Sequence, residues 1–159
     1  LLTEKIGGTA ELWSVDGKML REFPTDTLQV TCIAFHPNGR EVLTGDIDGR
    51  MIRWDLQARR LGVIPGPKQE VRSAAYSPDG SHIAAAYIDG PVRLWRIDGT
   101  LIATLAGHVA PTVQVRFSPD GSRVVTASQD GTCRFWFART DDLLRYARSL
   151  DAGRLKVGK

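Results

Sequence analysis

Short, mostly apolar segments alternate with tight polar turns along almost the whole chain. Val30 to Phe35 is one such segment, and His36-Pro37-Asn38-Gly39 follows it. The same order returns at Ser77-Pro78-Asp79-Gly80 and Ser118-Pro119-Asp120-Gly121. Proline presets φ at the first central position of a turn, and Asp or Asn followed by Gly accepts the conformations that reverse the chain, so each of these stretches joins two antiparallel strands. A second strand then runs over Glu41 to Thr44, His82 to Ala85 or Arg123 to Thr126. It ends at a second turn, Asp48-Gly49, Asp89-Gly90 or Asp130-Gly131, after which a third strand spans Arg50 to Leu56, Pro91 to Ile97 or Thr132 to Phe137. A fourth segment completes the unit: Met19 to Phe23, Leu61 to Ile64 or Leu101 to Leu105.

The spacing of these units is constant. Trp13, Trp54, Trp95 and Trp136 are separated by 41 residues each time, and Gly8, Gly49, Gly90 and Gly131 precede them in the same frame. Phe35, Tyr76 and Phe117 keep the interval as well. Four short antiparallel strands per repeat of this length predict an all-β protein built from β-propeller blades. Aligned by the period, Leu1 falls in the second strand of a blade and Phe137 closes a third strand, so the strands amount to about three and a half blades, fewer than the four to eight of a closed propeller. Residues 1–137 are therefore expected to be part of a larger propeller completed by upstream blades. Residues 138–159 form a tail in which Thr140-Asp141-Asp142 caps a short helix over 141–151, with Leu143, Leu144, Ala147 and Leu150 on one face and Gly153 as its stop.

Composition sharpens this in two respects. The net charge of +3 lies wholly in the tail, so residues 1–137 are neutral and lack the basic face that a nucleic-acid partner requires. Cys32 and Cys133 occupy non-equivalent positions in different repeats, which suits neither a disulfide framework nor a metal site and points to a reducing, cytoplasmic compartment. No apolar run reaches the length of a membrane span.

Taken together, the Gly107-His108 pair, the three Pro-containing turns, the three Asp-Gly turns and Trp54-Asp55 resemble the WD-repeat family. Trp13-Ser14, Trp95-Arg96 and Trp136-Phe137 depart from the family's pattern at the second letter. The resemblance implies a hydrogen-bonded chain of histidine, strand hydroxyl, turn aspartate and tryptophan, matched here by His108, Thr126, Asp130 and Trp136, with Ser128 an alternative hydroxyl on the same face. At the preceding blade's positions stand Pro67, Ala85, Asp89 and Trp95, without histidine or hydroxyl; Asp26, Thr44, Asp48 and Trp54, one blade earlier, lack only the histidine. The last blade is thus expected to be the most rigid, and the Trp95 blade to rely on packing.

Catalytic chemistry finds little footing. His36, His82 and His108 share no useful spacing, and HExxH, phosphate-loop, GxSxG and Cys-x-x-Cys motifs do not occur. The repeated aspartates 48, 89 and 130 sit where turns need them. The resemblance implies instead a docking face made of the loops between blades and the turns between second and third strands. It would present Gln29, Asp46, Ile47, Lys68, Gln69, Glu70, Tyr87, Ile88, Pro111 and Gln129, with Ile47, Tyr87 and Ile88 able to merge into an apolar patch. The chain is expected to act without catalysis or cofactor, as a scaffold docking a protein or peptide. The alternative is a sensory or docking propeller at the C-terminus of a multidomain kinase, protease or NTPase.

Overall fold

The computed structural model describes residues 1–5, 9–24 and 29–138. The helix expected over 141–151 lies outside these residues, as does Asp26.

Among the described residues, fourteen strands form four antiparallel sheets. The first blade holds β1 (Leu2–Lys5), β2 (Thr9–Trp13) and β3 (Met19–Phe23). The second holds β4 (Val30–Phe35), β5 (Glu41–Asp46), β6 (Met51–Asp55) and β7 (Arg60–Ile64). The third repeats that order as β8 (Val71–Tyr76), β9 (His82–Tyr87), β10 (Val92–Arg96) and β11 (Leu101–Leu105). The fourth contains β12 (Thr112–Phe117), β13 (Arg123–Ser128) and β14 (Cys133–Phe137). Strands pair in sequence order within every sheet, and β1, β4, β8 and β12 bring successive blades side by side.

The strand period of two sends alternate side chains to opposite neighbours, so the second and third blades are buried on both faces. Val42, Ile52 and Trp54 pack with Ala10 and Phe23 of the first blade, whereas Leu43 and Met51 pack with Tyr76, Ile83, Ala85, Tyr87 and Trp95 of the third. Ala84, Ala86, Val92 and Leu94 turn to Val115 and Val124 of the fourth. Each fully buried large side chain contributes about 1.5–3 kcal/mol relative to an exposed one. At the far face of the fourth blade the same positions stand open: Phe135 is 69 % exposed where its equivalent Leu94 is 2 % exposed.

Hydroxyls stitch the blades where they meet. Thr31 Oγ1 donates to Val71 O at 2.6 Å, and Thr112 Oγ1 to Gly90 O at 2.5 Å. At one end of the blades the Pro-containing turns make a parallel link. His36 Nδ1 accepts from Asn38 N at 3.1 Å, so its Nε2–H is the group that donates to Gly80 O, 3.2 Å away in the next blade's turn.

Candidate functional site

Two places were marked by the sequence, a buried polar chain in the last blade and a face of loops.

The polar chain is continuous. Trp136 Nε1 donates to Thr126 Oγ1 at 3.0 Å; Thr126 Oγ1 lies 2.7 Å from His108 Nε2, and His108 Nδ1 lies 2.8 Å from Asp130 Oδ2. One proton arrangement satisfies every member: Nδ1–H donates to the carboxylate and the threonine hydroxyl donates to Nε2. Strand β13 supplies Thr126 and β14 supplies Trp136, while the β11–β12 loop brings His108 over both. Ser128 does not substitute for Thr126; its hydroxyl donates to Ala110 O and Pro111 O, each at 3.0 Å, and so anchors that loop. The Thr132 hydroxyl, 2.6 Å from Asp130, holds the aspartate's carboxyl well below the usual carboxylate range, and His108 adds to the effect.

The tryptophan–threonine pair turns out to be the more general element. Trp13 Nε1 donates to Thr3 Oγ1 and Trp54 Nε1 to Thr44 Oγ1, both at 2.9 Å. Thr3 was legible from the 41-residue period but easily passed over, because it lies at the very start of the chain. In the third blade Ala85 breaks the pattern, and Trp95 Nε1 and the Tyr87 hydroxyl are both buried without a hydrogen-bond partner among the described residues. That blade is held by apolar packing in its place, with Ile83, Ala84, Ala85 and Ala86 all fully buried.

The Pro-containing turns, at the opposite end of the blades, use their polar groups internally. Asp79 Oδ1 accepts from Ser77 Oγ at 2.5 Å, from Ser81 Oγ at 2.7 Å and from Ser81 N at 3.0 Å. These bonds, the Ser77 hydroxyl first, lower the carboxyl's pKa strongly; the Ser118 hydroxyl, chiefly, does the same for Asp120, to about 2. A carboxyl whose pKa is depressed on folding stabilises the protein above its unfolded value of about 3.9, and that contribution is lost as pH falls through the lower folded value. The expected result is that Asp79→Asn melts earlier than the wild type at neutral pH, yet loses less on acidification below about pH 4. Thermal melts at neutral and acid pH check it; an equal acid-induced drop in both proteins refutes it.

The loop face is pinned by a repeating backbone bond. Ile47 N donates to Gln29 O, Ile88 N to Glu70 O and Gln129 N to Pro111 O, at 3.2, 3.0 and 3.0 Å, which ties each turn between second and third strands to the loop entering its own blade. Gln29, Ile47, Lys68, Gln69 and Gln129 are exposed, and Glu70, Ile88 and Pro111 are partly exposed.

Two expected members of this face do not reach the surface. Tyr87 is fully buried, capped by the Arg93 guanidinium 4.8 Å from its ring centre and lying under the backbone of Gly66. Asp46 is 3 % exposed and accepts from Arg50 N and Arg50 Nε. Both residues end their second strands, β5 and β9, which run two residues further than the sequence suggests and carry these side chains into the sheet. The apolar patch expected from Ile47, Tyr87 and Ile88 therefore loses its centre.

In its place the structure shows a cleft that sequence reasoning missed. Where the β5–β6 turn faces the β7–β8 loop, Ile47, Asp48, Arg50, Val63, Pro65, Gly66 and Lys68 enclose a cavity of about 570 Å³, open to solvent. Beside it the turn and the loop interlock at two glycines: a Cβ at Gly49 would stand 1.7 Å from Pro67 O, and one at Gly66 would stand 1.9 Å from Gly49 O. Side-chain-free backbone at both positions is what lets the loop and the turn touch. Gly66 stands one repeat before Gly107 and so was legible as a repeated glycine, but nothing in the spacing marks what it faces.

Cys32 is buried and Cys133 exposed, and neither forms a disulfide. Among the described residues no helix is long and apolar enough to cross a membrane.

A comparison with curated proteins finds no match. The family model described as "WD domain, G-beta repeat" matches residues 10–55, 58–96 and 99–136, together most of the chain, each match ending on a tryptophan-bearing strand. With four blades of the required strand order and the Trp–Thr–His–Asp chain joined in the last of them, the chain belongs to the WD-repeat family.

Proposed function

We propose that this protein is a non-catalytic interaction scaffold that docks a protein or peptide through its loop face. Repeats of this family generally serve as protein-interaction modules. The observation that favours the loop face is the contrast between the two ends of the blades. At the turn end, Asp79, Asp120 and His36 are committed to bonds within or between turns. At the loop end, backbone bonds fix the turns while Gln29, Ile47, Lys68 and Gln129 are exposed, and Ile47 and Lys68 line an open cleft. Exposed side chains on a rigid scaffold suit recognition, because little ordering cost attends binding.

The test is affinity capture with the full chain, comparing the wild type, a loop-face triple variant (Gln29→Lys, Ile88→Asp, Gln129→Lys) and a turn-face double variant (Asn38→Lys, Arg40→Glu). The triple variant is expected to lose the partners captured by the wild type at a melting temperature within a few degrees of it, and the double variant to keep them. Loss confined to the turn-face variant refutes the assignment.

A further inference from the structure

From the cleft beside Gly49 and Gly66 we infer the chemistry of the docked segment: a peptide carrying a single carboxylate next to an apolar side chain. This rests on the loop-face function above and names its ligand class.

The walls supply both halves of the recognition. Ile47, 43 % exposed, stands with Val63 and Pro65 on the apolar side, and a volume of about 570 Å³ holds a few side chains rather than a folded element. Pro65 and the glycine interlock hold the walls in place before any ligand arrives, and such preorganisation lowers the entropic cost of binding.

The polar side is cationic but not strongly so. The Lys68 ammonium is exposed at the rim, with no ion-pair partner among the described residues. Arg50 stands opposite, its side chain 40 % exposed. Its Nε bonds Asp46 behind the wall at 3.3 Å, and its Nη2 lies 3.6 Å from Asp48. The Asp46 carboxylate is spent on Arg50 and turned inward, which leaves Lys68 and the outer edge of the Arg50 fork against the lone exposed Asp48. That balance accommodates one carboxylate. A run of acidic residues or phosphates would be opposed by Asp48, since like charges brought together at an interface disfavour the wrong partner. A basic peptide would meet Lys68 and Arg50 first.

A random peptide library displayed on phage and selected on the full chain tests this directly. Enriched sequences are expected to place one Asp or Glu within two residues of Leu, Ile, Val or Phe. A synthetic peptide of the enriched sequence is then expected to bind Lys68→Glu and Ile47→Glu at least about tenfold more weakly than wild type, and its Asp→Asn version to bind wild type about tenfold more weakly. Both protein variants should melt with the wild type, because Lys68 and Ile47 are exposed and make no core contact. Enrichment of basic, polyacidic or purely apolar sequences overturns the inference, as does undiminished binding to Lys68→Glu, or no enrichment at all. If the enriched peptides bind normally to both cleft variants but are lost with Gln29→Lys and Gln129→Lys, the cleft assignment fails while the loop-face function stands. If only Asn38→Lys and Arg40→Glu release them, both fail.

Discussion

Gly49→Ala is expected to destabilise the full chain by roughly 3 kcal/mol, well above what its conformation alone would cost. Gly49 has φ +85°, and forcing a side-chain-bearing residue into that left-handed region costs about 1–2 kcal/mol. The larger part is contact. An added Cβ would lie 1.7 Å from Pro67 O and 2.6 Å from Gln69 O, both backbone atoms of the β7–β8 loop, so the loop itself has to move. Overpacking of this kind adds about 1–3 kcal/mol. Two comparisons separate the contributions. Gly17 has φ +77° with nothing within 4 Å of an added Cβ, so Gly17→Ala reports the conformational cost by itself. Gly66→Ala reports the contact, since its Cβ would meet Gly49 O and the Tyr87 hydroxyl without a left-handed φ. Urea unfolding of the three variants checks the ordering, and equal losses for Gly49→Ala and Gly17→Ala refute the interlock.

That interlock also marks the boundary of what sequence reasoning reaches in this chain. Residues that recur every 41 positions do so because each blade repeats the same environment, so strands, turns and blade order are legible from spacing, whereas the His108–Thr126–Asp130–Trp136 chain follows only from the family resemblance, since His108 does not recur. The link between Gly49 and Gly66 is different. Gly49 recurs in every blade, and Gly66 recurs as Gly107, but the flanking Pro67 replaces the histidine of the last blade and nothing in the spacing shows that the two glycines touch. The cleft exists because this turn meets a loop whose side chains differ from blade to blade, and only three-dimensional structure brings them together. Tyr87 shows the converse failure. The family resemblance sets both Tyr87 and Asp46 on the loop face, yet both side chains lie inside the sheet. What buries Tyr87 is the bare backbone of Gly66 and the Arg93 guanidinium laid across its ring.

Thr126→Val is expected to cost about 2–4 kcal/mol, although it hardly changes side-chain volume, because it leaves two buried groups unpaired at about 1–3 kcal/mol each. The hydroxyl is both the acceptor for Trp136 Nε1 and the donor to His108 Nε2. Thr126 is 1 % exposed and the His108 side chain also 1 %, so water cannot replace the lost partner without opening the blade. The third blade shows that a single orphaned indole is tolerated when apolar packing surrounds it, as at Trp95 above Ala85. The fourth has no such reserve: its far face is open at Phe135 and Cys133, and Trp136 itself is only partly buried. His108→Ala should cost about 1–3 kcal/mol on the same ground. Combining the two substitutions should cost about 1 kcal/mol less than their sum, because each removes the same Thr126–His108 bond. His82→Ala serves as the control, since its Nδ1 meets only the Ser81 hydroxyl and the ring is half-exposed; a shift within about 0.5 kcal/mol is expected. Strict additivity of Thr126→Val and His108→Ala, or an equal loss from His82→Ala, means that the four side chains do not act as one connected chain.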